Sequence, residues 1–337
     1  MYKTADFLKK YKTIIFDMDG VITHEQQYWN AAALTVWEYL RSAEYCGSER
    51  LDAAKMSADT QKIRDRIFIN DKFITLLKSK GVNSNWDLGY VTFAYITLAD
   101  GDIDAAFHAA ESSPENILDE YPRLGEELSQ KLGIDCRRNG KLWLDMQNCF
   151  QEWFLGDELF EKIYGKKPRL LGKTGLCHSE TPLIDSEKLC AIFSLLASGG
   201  VKIGIATGRP DAEMKTPLEN FKIANYISKN SMISYDYVVG AERAMHQNFT
   251  KPHPYMFLKA MLGKDYPDSK IAVGDYPKDG IKSTLAVGDA AADFFAAHAA
   301  GMDFCAVLTG VSGKKAKGFF EKEGAEYILD SLENFLK

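Results

Sequence analysis

At 337 residues the chain exceeds one typical domain, so two are expected. Its 46% hydrophobic and 26% charged content is that of an ordinary globular protein, and the net charge of −6 argues against a general nucleic-acid binder. Cys46, Cys136, Cys149, Cys177, Cys190 and Cys305 are scattered without a C-x-x-C pair, which speaks against a disulfide framework or zinc site and for free thiols.

The opening MYKTADFLKKYK lacks an apolar core of signal-peptide length, and no uncharged run could span a bilayer. A cytoplasmic protein with no membrane and no nucleic-acid partner is expected. Residues 1–12 read as an amphipathic lead-in. The stretch Thr13 to Phe16 then forms a short buried strand that runs into Asp17-Met18-Asp19-Gly20. Alternation along a strand sends Asp17 and Asp19 toward its C-terminal mouth, where open α/β sheets bind ligands. Two carboxylates this close repel unless a cation or a proton intervenes.

From about Glu25 the pattern is mainly helical for about 150 residues, with AAALTVWEYLRSAEY, KIRDRIFINDKFITLLKSKG and GEELSQKLGI at three-to-four spacing. Trp29, Trp37, Trp86, Trp143 and Trp153 all fall here, enough bulk for a separate core. Residues 156–175 read as a hinge and return linker. Within this block, Asp100 to Glu111 mimics a calcium loop, but Ala105 occupies the position of the turn glycine, so a solvated loop is expected. Arg137, Arg138 and Lys141 form a basic cluster that reads as a solvated face or as a site for an anion.

Beyond Pro182, strands and helices alternate. SEKLCAIFSLLASGG, DAEMKTPLENF, HPYMFLKAMLG and AADFFAAHAAG are predicted helices; VKIGIA, DYVVG, STLAVG and FCAVLTG are predicted strands. The fold class is therefore α/β, a three-layer Rossmann-like parallel sheet built from residues 1–22 and 178–337. Residues 23–177 would be an inserted, mainly α-helical domain at the C-terminal rim of the sheet.

Three further stretches suit a phosphate site. Thr207 and Gly208 end the VKIGIA strand with a hydroxyl and an amide donor. Lys251 precedes Pro252 ahead of a helix, and Asp289 and Asp293 lie one helical turn apart after STLAVG. Asp275 and Asp279 repeat that last spacing, but Pro277 and Gly280 make their surroundings turn-like, so Asp289 is preferred. The intervening 264–282 segment is expected to form a hairpin. His24 and Arg209 each read as exposed rim residues or as groups facing substrate.

FDMDGV at 16–21, ATGR at 206–209, KP at 251–252 and VGDAAAD at 287–293, in this order, resemble the haloacid dehalogenase (HAD) superfamily, most of whose members are phosphohydrolases. The resemblance implies that Asp17 attacks phosphorus to form an aspartyl-phosphate, while Asp19 acts as acid and then base. It implies Mg²⁺ held by Asp17, the Asp19 carbonyl and Asp289, with Asp293 bound directly or through water. Thr207, Gly208 and Lys251 would hold the phosphoryl group, and the inserted block would be a helical cap. A phosphatase acting on a small phosphorylated metabolite is expected. A phosphomutase using the same residues, or a non-catalytic phosphate-binding scaffold, is the alternative. Dehalogenation is disfavoured because dehalogenases of the family lack the second aspartate that Asp19 supplies.

Overall fold

The computed structural model describes residues 2–82 and 84–337. The chain folds into two compact units, one made of Met1–Glu25 with Glu180–Lys337 and the other of Gln26–Ser179.

In the first unit six parallel strands pair in the order β3-β2-β1-β4-β5-β6. They are β1 (Thr13–Phe16), β2 (Lys202–Ala206), β3 (Met232–Ile233), β4 (Thr284–Gly288), β5 (Asp303–Val307) and β6 (Tyr327–Leu329). Strand alternation sends Ile14, Phe16, Ile203, Ile205, Leu285, Val287, Cys305 and Val307 to one face. There they pack on Leu189, Ile192, Phe193 and Leu196 of the helix Ser186–Ser198 and on Met214 and Leu218 of Asp211–Asn220. Ile15, Ala206, Ala286, Phe304 and Ala306 face the other way, onto the helices Tyr235–Met245, Tyr255–Leu262 and Ala291–Ala300. The result is the three-layer α/β arrangement expected, with near-continuous apolar strands because both faces are covered. The strand order reverses direction between β1 and β4, which opens a crevice beyond their carboxyl ends.

Several sequence-based expectations are corrected. DYVVG is not a strand: it lies in the helix Tyr235–Met245, where Val238 and Ala241, three apart, are buried together. The neighbouring strand is Met232–Ile233 instead. The 264–282 segment is no hairpin; it holds the helix Asp268–Ala272 and a 3₁₀ turn Ile281–Ser283. The stretch from Lys62 to Gly81 is two helices, Thr60–Ile67 and Lys72–Ser79, separated by Ile69, Asn70 and Asp71, all at positive φ. That costly backbone is held where the Arg64 guanidinium grips the Asp71 carboxylate at 2.5 and 2.8 Å. The first part of the expected linker belongs to the helix Lys141–Tyr164, interrupted at Gly156 (φ 78°, ψ 168°). The solvated loop expected from Asp100 to Glu111 is mostly helix instead: Asp102 caps the helix Ile103–Glu111, while Asp100 pairs with Lys131.

The second unit is helical. Asn85–Leu98 is buried almost all round and packs against Gln26–Arg41, Tyr121–Leu132 and Lys141–Tyr164. All five tryptophans lie in this unit, and Arg137, Arg138 and Lys141 pair with Asp135, Asp87 and Asp145. Inside it Lys173 Nζ bridges Glu38 at 3.0 Å and Glu152 at 2.6 Å, with Trp153 Nε1 donating to the same Glu38 oxygen at 2.7 Å. Burial alone would lower the Lys173 pKa; Cys149 and the two carboxylates nearby override it and raise it. Removing the cation would strand two buried carboxylates. Lys173→Met is expected to cost about 3–5 kcal/mol of stability, read as a drop in the urea midpoint, whereas a change of under about 1 kcal/mol would mean that the cluster is replaceable.

Candidate active site

The pairing register places the candidate residues before any side chain is considered. Phe16 pairs with Ile205 on one side and Val287 on the other. The next residues, Asp17, Ala206 and Gly288, therefore sit together at the carboxyl edge, and the Asp17 amide still donates to Val287 O at 2.9 Å. Gly20 adopts φ +72° and turns the chain away; any Cβ there would strike the Asp289 carboxylate, as it would at Gly310. The Thr309 hydroxyl donates to Gly20 O at 2.6 Å and fixes that turn.

Carboxylate oxygens of Asp17, Asp289 and Asp293 lie within 4.8 Å of one another. Lys251 Nζ reaches Asp17 Oδ1 at 2.8 Å, Asp293 Oδ1 at 2.7 Å and Ala206 O at 2.8 Å. Its loop is held from below: Glu242 Oε1 accepts from the Phe249 amide at 2.7 Å and the Thr250 amide at 3.1 Å. Phe249 is buried and stacks on Tyr255 with ring centres 4.4 Å apart. The helix misread as a strand thus supplies the anchor for the lysine loop.

Burial pushes the Asp17 carboxyl up to about 7; Lys251 opposes this, and Asp293 and Asp19 add to it. For Lys251, burial would lower the pKa, but Asp17 and Asp293 more than offset it and the ammonium is held charged. Asp289 is pushed well above the carboxylate range by burial, then by Asp293 and Asp17. Among the described residues Asp289 has no hydrogen-bond or ion-pair partner, and the Asp19 carbonyl accepts no hydrogen bond. Three clustered carboxylates, two of them paired with one ammonium and the third unpaired among the described residues, form with the free carbonyl an all-oxygen donor set with excess negative charge. That set suits a hard divalent cation.

Thr207 is buried and its hydroxyl accepts from the Arg209 amide at 3.2 Å, while Gly208 is exposed with its amide uncommitted among the described residues. The Asp19 carboxylate is not part of the acidic triad. It is gripped by Arg209, whose Nη2 donates to Oδ1 at 2.6 Å and Nε to Oδ2 at 3.1 Å. Arg209 is 2% exposed, so of its two sequence readings the solvated face is excluded. Glu180, which pairs with Arg209 on the far side, carries no sequence signal, because a lone glutamate in a loop has no spacing to betray it. Asp275 and Asp279 are exposed and stand apart from the triad; Asp275 lies 3.8 Å from Lys270. His24 is exposed.

A Rossmann-like α/β protein with an acidic, lysine-bridged centre at the carboxyl edge of its sheet is the class these features define. The chain belongs to the haloacid dehalogenase-like hydrolases, whose family model matches residues 11–301. It is similar to a crystal structure solved as a structural-genomics target, 29% identical over 96% of each chain with a TM-score of 0.78. A phosphatase from Thermococcus thioreducens is 18% identical over 93% of this chain and 99% of that one, with a TM-score of 0.50, and shares the fold. No curated protein matches the chain. No helix among the described residues is long and apolar enough to cross a membrane.

The raised Asp289 carboxyl gives a stability prediction with a definite sign. A carboxyl whose folded pKa lies above its unfolded value contributes stability below the unfolded value and loses it as pH rises. Asp289→Asn should therefore raise Tm of the EDTA-treated protein near about pH 7, and the gain should fade toward about pH 3. Thermal unfolding across that range checks it; a variant less stable than wild type at neutral pH would contradict the repulsion.

Proposed function

We propose that the protein is a Mg²⁺-dependent phosphatase that hydrolyses a small phosphomonoester through an aspartyl-phosphate on Asp17. The observation that carries this reading is Lys251 Nζ bridging Asp17 and Asp293 at 2.8 and 2.7 Å beside Asp289, at the end of β1. Asp17, the Asp19 carbonyl and Asp289 would hold Mg²⁺, with Asp293 bound directly or through water. Bound there, the ion would neutralise charge on the phosphoryl oxygens.

Burial raises the Asp17 pKa to about 7, and Lys251 opposes that rise, drawing Asp17 toward its anionic, nucleophilic form. In the first step an Asp17 oxygen bonds to phosphorus, the ester P–O bond breaks, and Asp19 gives its proton to the departing oxygen. In the second, water attacks phosphorus and Asp19 takes the water's proton. The bond from phosphorus to Asp17 breaks, releasing inorganic phosphate and restoring the Asp17 carboxylate and the protonated Asp19. The Thr207 hydroxyl, the Gly208 amide and Lys251 hold the phosphoryl oxygens throughout. The helical unit inserted between Asp19 and Thr207 is the candidate for selecting the alcohol portion of the substrate.

A panel of phosphomonoesters assayed for phosphate release with Mg²⁺ tests this reading. Asp17→Asn is expected to lower kcat by about 10³-fold or more, and EDTA to abolish turnover until Mg²⁺ is restored. Mg²⁺ should also raise the wild-type Tm and leave Asp289→Asn unmoved. Wild-type inactivity across the panel, or turnover that survives in the Asn variant, would refute the proposal. Conversion of a sugar 1-phosphate to its 6-phosphate without free phosphate would point instead to phosphoryl return.

A further inference from the structure

We propose that Arg209, locked by Glu180, is a positioning residue that sets the orientation of the Asp19 carboxylate for proton transfer. The inference rests on the phosphatase reading above and adds to it two residues that act through Asp19.

The guanidinium is saturated on both sides. Toward the site, Nη2 and Nε grip the two oxygens of Asp19 at 2.6 and 3.1 Å. Away from it, Nη1 and Nη2 meet Glu180 Oε2 and Oε1 at 3.1 and 2.7 Å. Nη1 also donates to Glu213 O at 3.2 Å, and the two Nη2 hydrogens are shared among Asp19, Glu180 and Thr23 Oγ1, the last at 2.9 Å. An Arg fork paired bidentately with a carboxylate is fixed in direction as well as in distance. With Arg209 2% exposed and Glu180 7% exposed, the pair is shielded from solvent, so its geometry is not relaxed by water.

The Asp19 side chain, by contrast, is 26% exposed, so it is held from behind and open in front. This is what a proton carrier needs: a fixed carboxylate with one accessible edge. A substrate-binding arginine would have the opposite arrangement, with its own donors free. Arg209 has spent those donors on protein groups. The Thr23 hydroxyl lies 3.3 Å from Asp19 Oδ1 and 3.1 Å from Met18 O, so its one hydrogen can go to either acceptor in the turn that follows Asp19. Thr23 is itself pinned, its amide donating to Met18 O at 2.9 Å.

The inference is tested with two substrates that differ in how much they need a proton. An alkyl phosphate leaves as a strongly basic alkoxide, whereas p-nitrophenyl phosphate leaves as a stable phenolate. Arg209→Lys keeps the charge and loses the fork; Glu180→Gln keeps the shape and loosens the lock. Both are expected to lower kcat for the alkyl phosphate by about 10–100-fold, with KM within about twofold and a clearly smaller loss on p-nitrophenyl phosphate. Thermal unfolding identifies variants that remain folded, and if Arg209→Lys does not fold, Glu180→Gln carries the test. Equal losses on both esters, or a rise in KM alone, would overturn the positioning role while leaving the phosphatase reading intact. Wild-type inactivity on both esters would overturn the two together.

Discussion

The Lys251 ammonium and the carboxylates around it set the terms for the rest of the first unit. Asp17, Asp289 and Asp293 approach within 4.8 Å, a distance at which buried like charges repel strongly. One ammonium offsets part of that repulsion, at 2.8 Å from Asp17 and 2.7 Å from Asp293. Asp289 remains without a partner among the described residues, and its carboxyl is pushed up accordingly. A chain that builds such a cluster from segments far apart in sequence accepts a local cost in stability. The three-layer sheet supplies the stability that tolerates it, with apolar strands covered on both faces.

The same electrostatic device appears in the helical unit with a different outcome. There Lys173 is also placed between two carboxylates, but Glu38 and Glu152 are fully or nearly fully buried and Trp153 closes the cluster. In the first unit Lys251 and Asp17 keep some exposure, as the proposed phosphatase centre requires. The Lys173 cluster is thus closed off, whereas the centre proposed as reactive keeps a little exposure at Lys251 and Asp17.

Much of this was legible in the sequence, for physical reasons that differ by residue. The apolar strand before Asp17 and the Ala-rich helix after Asp289 are local patterns, and both formed where the spacing indicated. Thr207, Lys251 and Asp289 could be linked because each follows or precedes a readable element. DYVVG was misread because two adjacent valines carry strand propensity, while the burial of Val238 with Ala241 that makes it helical depends on tertiary packing. The break at Ile69–Asp71 was invisible because positive φ at non-glycine residues is stabilised by a contact, that of Arg64 with Asp71. Glu180 was missed altogether, since its role follows only from Arg209 reaching it through space.

The most direct test of nucleophilic attack at Asp17 is to quench the enzyme in acid during turnover with Mg²⁺ and a phosphomonoester, reduce it with borohydride, and map the modified residue by mass spectrometry. Conversion of the aspartate at position 17 to homoserine, absent without substrate, is the predicted result. Turnover accompanied by modification at another carboxylate, or by none at any quench time, would contradict it.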